Sequence, residues 1–340
     1  MTNIYHKNGY INVDKILGYS VPFNFIIGGR GTGKTYGALK YMVETGVKTM
    51  VMRRTQSQTD LINKQEFSPI NPVANDLKKD IKVKTISKYS ASITDQTNEE
   101  NKKVLGYTCA LSTISNMRGF DTSDIKLLIY DEFIPEQHER LIKNEGGAFL
   151  NAYETINRNR ELKGEKPLQV LCLANSNNIA NPLFIELGLV DRVRKMMCKG
   201  NDLLIDRDRG ILVALSTYST ISKQKKDTAL YKVSADSEFS GMAIDNEFSY
   251  NDFENIMPKP LKEFTPVCIV GDIAVYKHKD RREYYISSHR SGSPPMYGSD
   301  KTGLKKYRSH YGLRLQSAYM REQVFFESAL TKSLFELYTI

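Results

Sequence analysis

Gly28-Gly29-Arg30-Gly31-Thr32-Gly33-Lys34-Thr35 stands between the apolar run Phe23–Ile27 and a Pro-free stretch, residues 36–44, that puts Ala38, Leu39 and Met42 on one helical face. Strand, glycine-rich turn and helix in that order is the setting that the G-x-x-x-x-G-K-[ST] phosphate loop requires. The glycines let backbone N–H groups close around an anionic phosphate chain, and the helix start adds partial positive charge. Lys34 is placed to reach the β- and γ-phosphates, and the Thr35 hydroxyl to ligate Mg²⁺. Gly28, Gly29, Arg30, Gly31, Thr32 and Gly33 complete the expected nucleotide-binding set.

Further apolar runs continue the pattern. Thr49–Arg53, residues 125–130 and Gln169–Ala174 are short and bounded by polar residues, as strands of a sheet covered on both faces should be. Residues 92–95 and 104–111 read as an antiparallel insert turning at 98–102, and 149–160 as a helix. The class is an α/β nucleotide-binding domain. The run Leu127-Leu128-Ile129-Tyr130 ends in Asp131-Glu132. Beside a phosphate loop, Asp131 suits the Mg²⁺ shell, and Glu132 suits orienting and deprotonating an attacking water. Asn157-Arg158-Asn159-Arg160 closes a helix: one arginine could serve a developing negative charge, or the group could simply favour the helix dipole. Asn175, after an apolar strand, could sense a γ-phosphate or merely start a turn. Arg118 could be a second cation or face solvent.

The 340 residues suffice for two domains and a sizeable core. No stretch approaches about 18 consecutive apolar residues, so a transmembrane helix is not expected. The polar first ten residues lack an apolar signal core, so secretion is not expected either. Cys109, Cys172, Cys198 and Cys268 are widely spaced, and three lie in apolar runs, which favours packing over metal or redox roles in a cytosol. The net charge of +9 is unevenly spread: residues 233–275 are acidic, whereas 276–314 and 192–232 are basic. The basic 276–314 region interleaves Tyr284, Tyr285, Tyr307 and Tyr311 with cations. It suits either a phosphate backbone or a solvated sheet face over core tyrosines. Residues 1–198 are expected as the nucleotide-binding domain, 199–230 as a linker or small connecting domain, and 231–340 as an α+β domain. The last holds strands at Phe264–Val270, Ile273–His278 and 283–288, a loop at 291–303 and a helical tail at 315–338.

In order and spacing, residues 20–190 resemble the DNA-packaging ATPases, or encapsidation proteins, of phi29-like tailed phages. These belong to the additional-strand P-loop ATPases, with the large terminases and the FtsK–HerA translocases. The resemblance runs from Phe25-Ile26-Ile27 through the phosphate loop, Met52-Arg53-Arg54, Tyr130-Asp131-Glu132-Phe133-Ile134, Asn157-Arg158-Asn159-Arg160-Glu161 and Cys172-Leu173-Ala174-Asn175 to Asn181-Pro182. Towards the C-terminus only the length and Asp245-Asn246-Glu247-Phe248 are similar. The resemblance implies an ATP-driven motor for double-stranded DNA. It implies a homomeric ring of five subunits at the portal (connector) of a prohead in the host cytoplasm, and leaves a packaging RNA open. It assigns Arg158 as an arginine acting on the neighbouring subunit and Arg118 as a second such cation. It also implies a degenerate RNase H-like C-terminal domain. Asp272 in a hairpin turn and Glu283 among arginines do not make the acidic cluster of a two-metal nuclease, so DNA, RNA or portal binding is expected there. The rival readings are a terminase-like ATPase with an active nuclease and a nucleotide-gated nucleic-acid-binding protein.

Overall fold

The computed structural model describes residues 4–117, 119–136, 139, 142–216, 219–225, 228–234 and 255–340. They form two compact units, one drawn from Met1–Leu187 and Met196–Tyr250, the other from Gly188–Lys195 and Asn251–Ile340.

The first unit is built on nine strands: β1 (Phe23–Ile27), β2 (Thr49–Arg53), β3 (Ile81–Ser87), β4 (Ser90–Asp95), β5 (Lys103–Ala110), β6 (Leu127–Asp131), β7 (Gln169–Ala174), β8 (Leu203–Asp206) and β9 (Ile211–Leu215). Their order in the sheet is β3-β4-β5-β2-β6-β7-β1-β9-β8. The stretch from β5 to β9 is parallel, and antiparallel strands close both ends. Every residue of β2, β6 and β9 is buried, which explains their unbroken apolar runs. One core joins Ile26, Ile129, Leu173 and Leu212 to Ile4, Ile11 and Ile16 of the N-terminal segment, which includes α1 (Val13–Leu17). Another packs Leu39, Met42 and Val43 of α2 (Lys34–Thr45) and Val73 of α4 (Ile70–Asp76) over Val51, Ile93 and Leu105. Ile62 of α3 (Gln56–Ile62) joins the same core.

Register places the functional loops. Ile27 lies opposite Ala174 on one side and Leu215 on the other, and Asp131 opposite Leu173. The chain therefore leaves β1, β6 and β7 at one edge, bringing the phosphate loop, Glu132 and Asn175 to the carboxyl ends of parallel strands. Open α/β sheets bind their ligands there.

The expected linker at 199–230 is corrected. Its strands β8 and β9 complete the first sheet, and β9 lies directly beside β1. The polar residues 206–209 belong to the end of an edge strand and its turn, while Ile211–Leu215 is wholly buried. No helix among the described residues is long and apolar enough to cross a membrane.

The second unit has a five-stranded sheet, β13-β10-β11-β12-β14, from β10 (Phe264–Val270), β11 (Ile273–His278), β12 (Tyr284–Ser287), β13 (Met296–Tyr297) and β14 (Val324–Phe326). The meander β10-β11-β12 is antiparallel, as expected, with Gly271-Asp272 as its first turn. The loop at 291–303 contains β13, and the tail at 315–338 is interrupted by β14, which pairs with β12 in parallel. Three residues of Val-Phe-Phe are too few to break a helical pattern visibly. Tyr307, Leu315, Phe335 and Tyr338 cover one face of the sheet. Tyr276 and Tyr285 are buried on the other. The tyrosines interleaved with cations in 276–314 are thus mainly core residues. Asp245-Asn246-Glu247-Phe248 lies outside the described residues.

Candidate active site

Backbone conformation shapes the phosphate loop first. Gly31 and Gly33 have φ of 69° and 85°, the left-handed region that a side chain resists. Thr32 is buried and its hydroxyl donates to the Gly29 carbonyl at 3.1 Å. The buried Lys34 ammonium donates to the Gly28 and Gly29 carbonyls, both at 2.8 Å, and to Asn175 Oδ1 at 3.3 Å. Sequence reasoning left Asn175 open between sensing a phosphate and starting a turn; the fold makes it a hydrogen-bond partner of Lys34, 141 residues away.

Thr35, the second residue of α2, donates from its hydroxyl towards both Asp131 oxygens, at 3.1 and 3.0 Å. Hydroxyl and carboxylate oxygens converging on one point are the hard donors that Mg²⁺ takes, so Thr35 and Asp131 fit that ion. Burial pushes the Asp131 carboxyl above its ordinary value, against the opposing pull of Arg53; the Glu132 charge adds to the rise. A divalent cation would relieve that cost. Glu132 sits just past β6 in a left-handed conformation, φ 60°, with its side chain 53% exposed. The turn carries the carboxylate past the end of β6, where it stays partly open to solvent.

Arg53, at the end of β2, is the residue that sequence reasoning left without a role. Its guanidinium reaches Asp131 Oδ2 at 2.8 Å and Glu132 Oε2 at 2.7 Å. The signal was present in Met52-Arg53-Arg54: a strand buried throughout, ending in two arginines, needs carboxylates nearby. Arg54 finds Glu145 at 2.6 and 2.9 Å and Glu139 at 2.7 Å. Glu145 begins α5 (Glu145–Asn157), so the ion pair fixes that helix to the end of β2. Arg30 of the phosphate loop pairs with Glu136, beyond Glu132.

At the other end of α5, Arg158 and Asn159 are both left-handed, φ 49° and 56°. The two-residue kink separates the roles of Asn157-Arg158-Asn159-Arg160. Arg160 is 3% exposed and donates to the Thr122 and Ser123 carbonyls. Asn157 is buried and accepts from the Leu168 N–H. The Arg158 side chain remains 41% exposed, with Asp121 at 3.4 Å and the Phe120 carbonyl at 2.7 Å. Its hydrogen bonds thus go to residues 120 and 121 rather than to Lys34 or Asp131. Arg118 lies outside the described residues.

Residues 5–277 match the family described as podovirus DNA encapsidation protein (Gp16). The chain belongs to this family. A DNA packaging protein of Bacillus phage phi29 is 24% identical over 351 residues, covering 98% of each chain. Among solved structures, the fold is similar to a chain of the bacteriophage phi29 viral genome packaging motor assembly, with a TM-score of 0.67 and 21% identity. The match covers 97% of this chain and 99% of that one. The Phi-28 gp11 DNA packaging motor is similar at a TM-score of 0.65 and 18% identity, covering 98% of both. Within the encapsidation family fold, the phosphate loop, Asp131, Glu132 and Asn175 occupy one sheet edge. Arg158 stands on a separate, exposed helix end.

Proposed function

We propose that this chain is the ATP-hydrolysing subunit of a motor that drives viral double-stranded DNA into a preformed prohead. It would act as a homomeric ring, of five copies in the reading from resemblance, at the prohead portal in the host cytoplasm. Membership of the encapsidation family supports the packaging role. One observation carries the enzymatic part: Lys34, Thr35, Asp131, Glu132 and Asn175 converge at the carboxyl edge of the sheet.

Lys34 exchanges its carbonyl partners for phosphate oxygens, and the N–H groups of residues 28–33 line the same cradle. Mg²⁺, when bound, neutralises charge on the transferring phosphoryl group. Thr35 and Asp131 are the residues that would hold it. Glu132 orients the attacking water and takes its proton, which requires it to leave Arg53. Asn175, bonded to Lys34, reports the state of the phosphate end to β7. Arg158 supplies positive charge to the neighbouring subunit's site. In the second unit, Glu283 is engaged by Lys259 at 2.7 Å and Asp272 faces Arg290 at 3.6 Å. Carboxylates paired with cations rather than with one another support a binding role for that unit, towards DNA, portal or packaging RNA, over nuclease action.

Mixed rings test the arrangement. Arg158→Ala and Glu132→Gln chains should each be inactive in DNA-stimulated ATP turnover while still binding nucleotide. Mixing them should restore part of the turnover, because some interfaces then pair an intact Arg158 with an intact Glu132. Full activity of Arg158→Ala alone would remove the assignment in trans. Cutting of plasmid by the native protein with Mn²⁺ would overturn the binding role of the second unit.

A further inference from the structure

A cavity of about 840 Å³ opens beside the phosphate loop and is assigned no role by the phosphate chemistry. Gly31 and Gly33 form its inner wall, the first turns of α2 one side, and an N-terminal strap, residues 6–11, the other. From the strap we infer that Tyr10, opposite Tyr36 of α2, holds the purine base of the bound nucleotide. The inference rests on the phosphate-loop reading above.

Position comes first. A nucleotide whose phosphates lie along residues 28–35 must send its sugar and base out past Gly33, because β1 and β7 fill the interior side. The cavity begins at that point. Its two aromatic walls are only partly covered, Tyr10 at 41% and Tyr36 at 37% exposure, in a chain that otherwise buries many of its aromatic rings. Aromatic faces on a slot next to a phosphate cradle suit base stacking.

The walls are also preorganised. The Ile11 N–H donates to the Thr32 carbonyl at 3.1 Å, tying the strap to the loop. The His6 N–H donates to the Tyr10 carbonyl at 2.8 Å across a turn whose Gly9 has φ 86°. That turn is held from behind: Ser219 Oγ donates to the Gly9 carbonyl at 2.8 Å, and a Cβ on Gly9 would come within 1.9 Å of Thr220 Oγ1. The Tyr10 ring lies so close to Gly33 that a Cβ there would meet it at 2.8 Å. Across the slot, Tyr36 follows Thr35 directly, and its hydroxyl donates to Asp76 Oδ2 at 2.7 Å. Strap, loop and helix are thus fixed relative to one another before ligand arrives.

Stacking reads the area of a base more than its edge, so the slot should favour purine over pyrimidine nucleotides and discriminate weakly between ATP and GTP. The test compares Mg²⁺-ATP, Mg²⁺-CTP and Mg²⁺-tripolyphosphate binding to the full-length protein by calorimetry. Tyr10→Ala should loosen ATP by about tenfold or more, narrow the ATP-to-CTP ratio and leave tripolyphosphate affinity unchanged, with Tyr10→Phe restoring ATP. Tyr36→Leu, on an exposed helix face, should act in the same direction and serves if Tyr10→Ala fails to fold. Native ATP affinity in both variants would overturn the inference. So would an equal loss of ATP and tripolyphosphate, which would mean that the strap only shapes the loop. If Lys34→Ala left tripolyphosphate affinity intact, the phosphate-loop reading itself would fall, and this inference with it. A Lys34 effect without a Tyr10 or Tyr36 effect would sink the base slot alone.

Discussion

Arg53 engages Asp131 and Glu132 at 2.8 and 2.7 Å, the two carboxylates proposed above to hold a metal ion and to act as general base. Without it, a buried carboxylate would face a second negative charge at close range. Replacing Arg53 by Met should therefore destabilise the ligand-free protein by about 3 kcal/mol, the scale of an uncompensated buried charge. Mg²⁺ with nucleotide should recover more stability in the variant than in the native protein, since the ion supplies the missing charge. Urea unfolding with and without Mg²⁺-ADP measures both, and equal midpoints for variant and native would contradict the role. Lys259 and Glu283 form a second such pair, and Lys259 also lies over the Phe325 ring. The Lys259 hydrogen bond holds the Glu283 carboxyl below its ordinary value of 4.5. A lowered carboxyl adds stability above that value and loses it as pH falls through the folded-state value. Lys259→Met should cost about 1 kcal/mol at pH 7. The gap in melting temperature should narrow on acidification below about pH 4.5, leaving only the lost ring contact. A gap independent of pH would contradict the ion-pair contribution.

Three parallel strands next to the site, Phe23–Ile27, Thr49–Arg53 and Gln169–Ala174, were legible to their ends. Helices cover both faces of the sheet, so each sequence shows a mostly apolar run with turn or polar residues at its boundaries, interrupted in the first only by the buried Asn24. Strand β3 was not legible, because an edge strand that exposes Lys82 and Lys84 has half its pattern in solvent. Strand β9 was hidden for another reason: its five buried residues follow a charged turn that reads as a linker. The site divides the same way. Residues in contiguous motifs were readable, whereas Arg53 meets its carboxylates only through the parallel pairing of β2 with β6. The position of β9 makes a sharp prediction. Leu212, on the strand beside β1, is fully buried in the core that Ile26 and Leu173 share with the N-terminal segment. Leu212→Ala should cost about 2–5 kcal/mol in urea unfolding. A change below about 0.5 kcal/mol, as for a surface position, would restore the linker reading.

The whole molecule joins a nucleotide site in the first unit to a cation-rich sheet unit, in a chain of net charge +9. Protein–phosphate contacts release counterions, so binding of double-stranded DNA should weaken steeply and linearly on a log–log salt plot. Salt-independent binding in a filter or anisotropy titration would contradict a phosphate-backbone contact. Coupling of the two activities requires that hydrolysis itself be performed at the Asp131–Glu132 edge. The most direct measurement is steady-state ATP turnover, with double-stranded DNA, by native protein and Glu132→Gln. Loss of the general base should lower turnover by about 10²–10⁴-fold while nucleotide binding is retained. Unchanged turnover in the Glu132→Gln protein would contradict hydrolysis at this site.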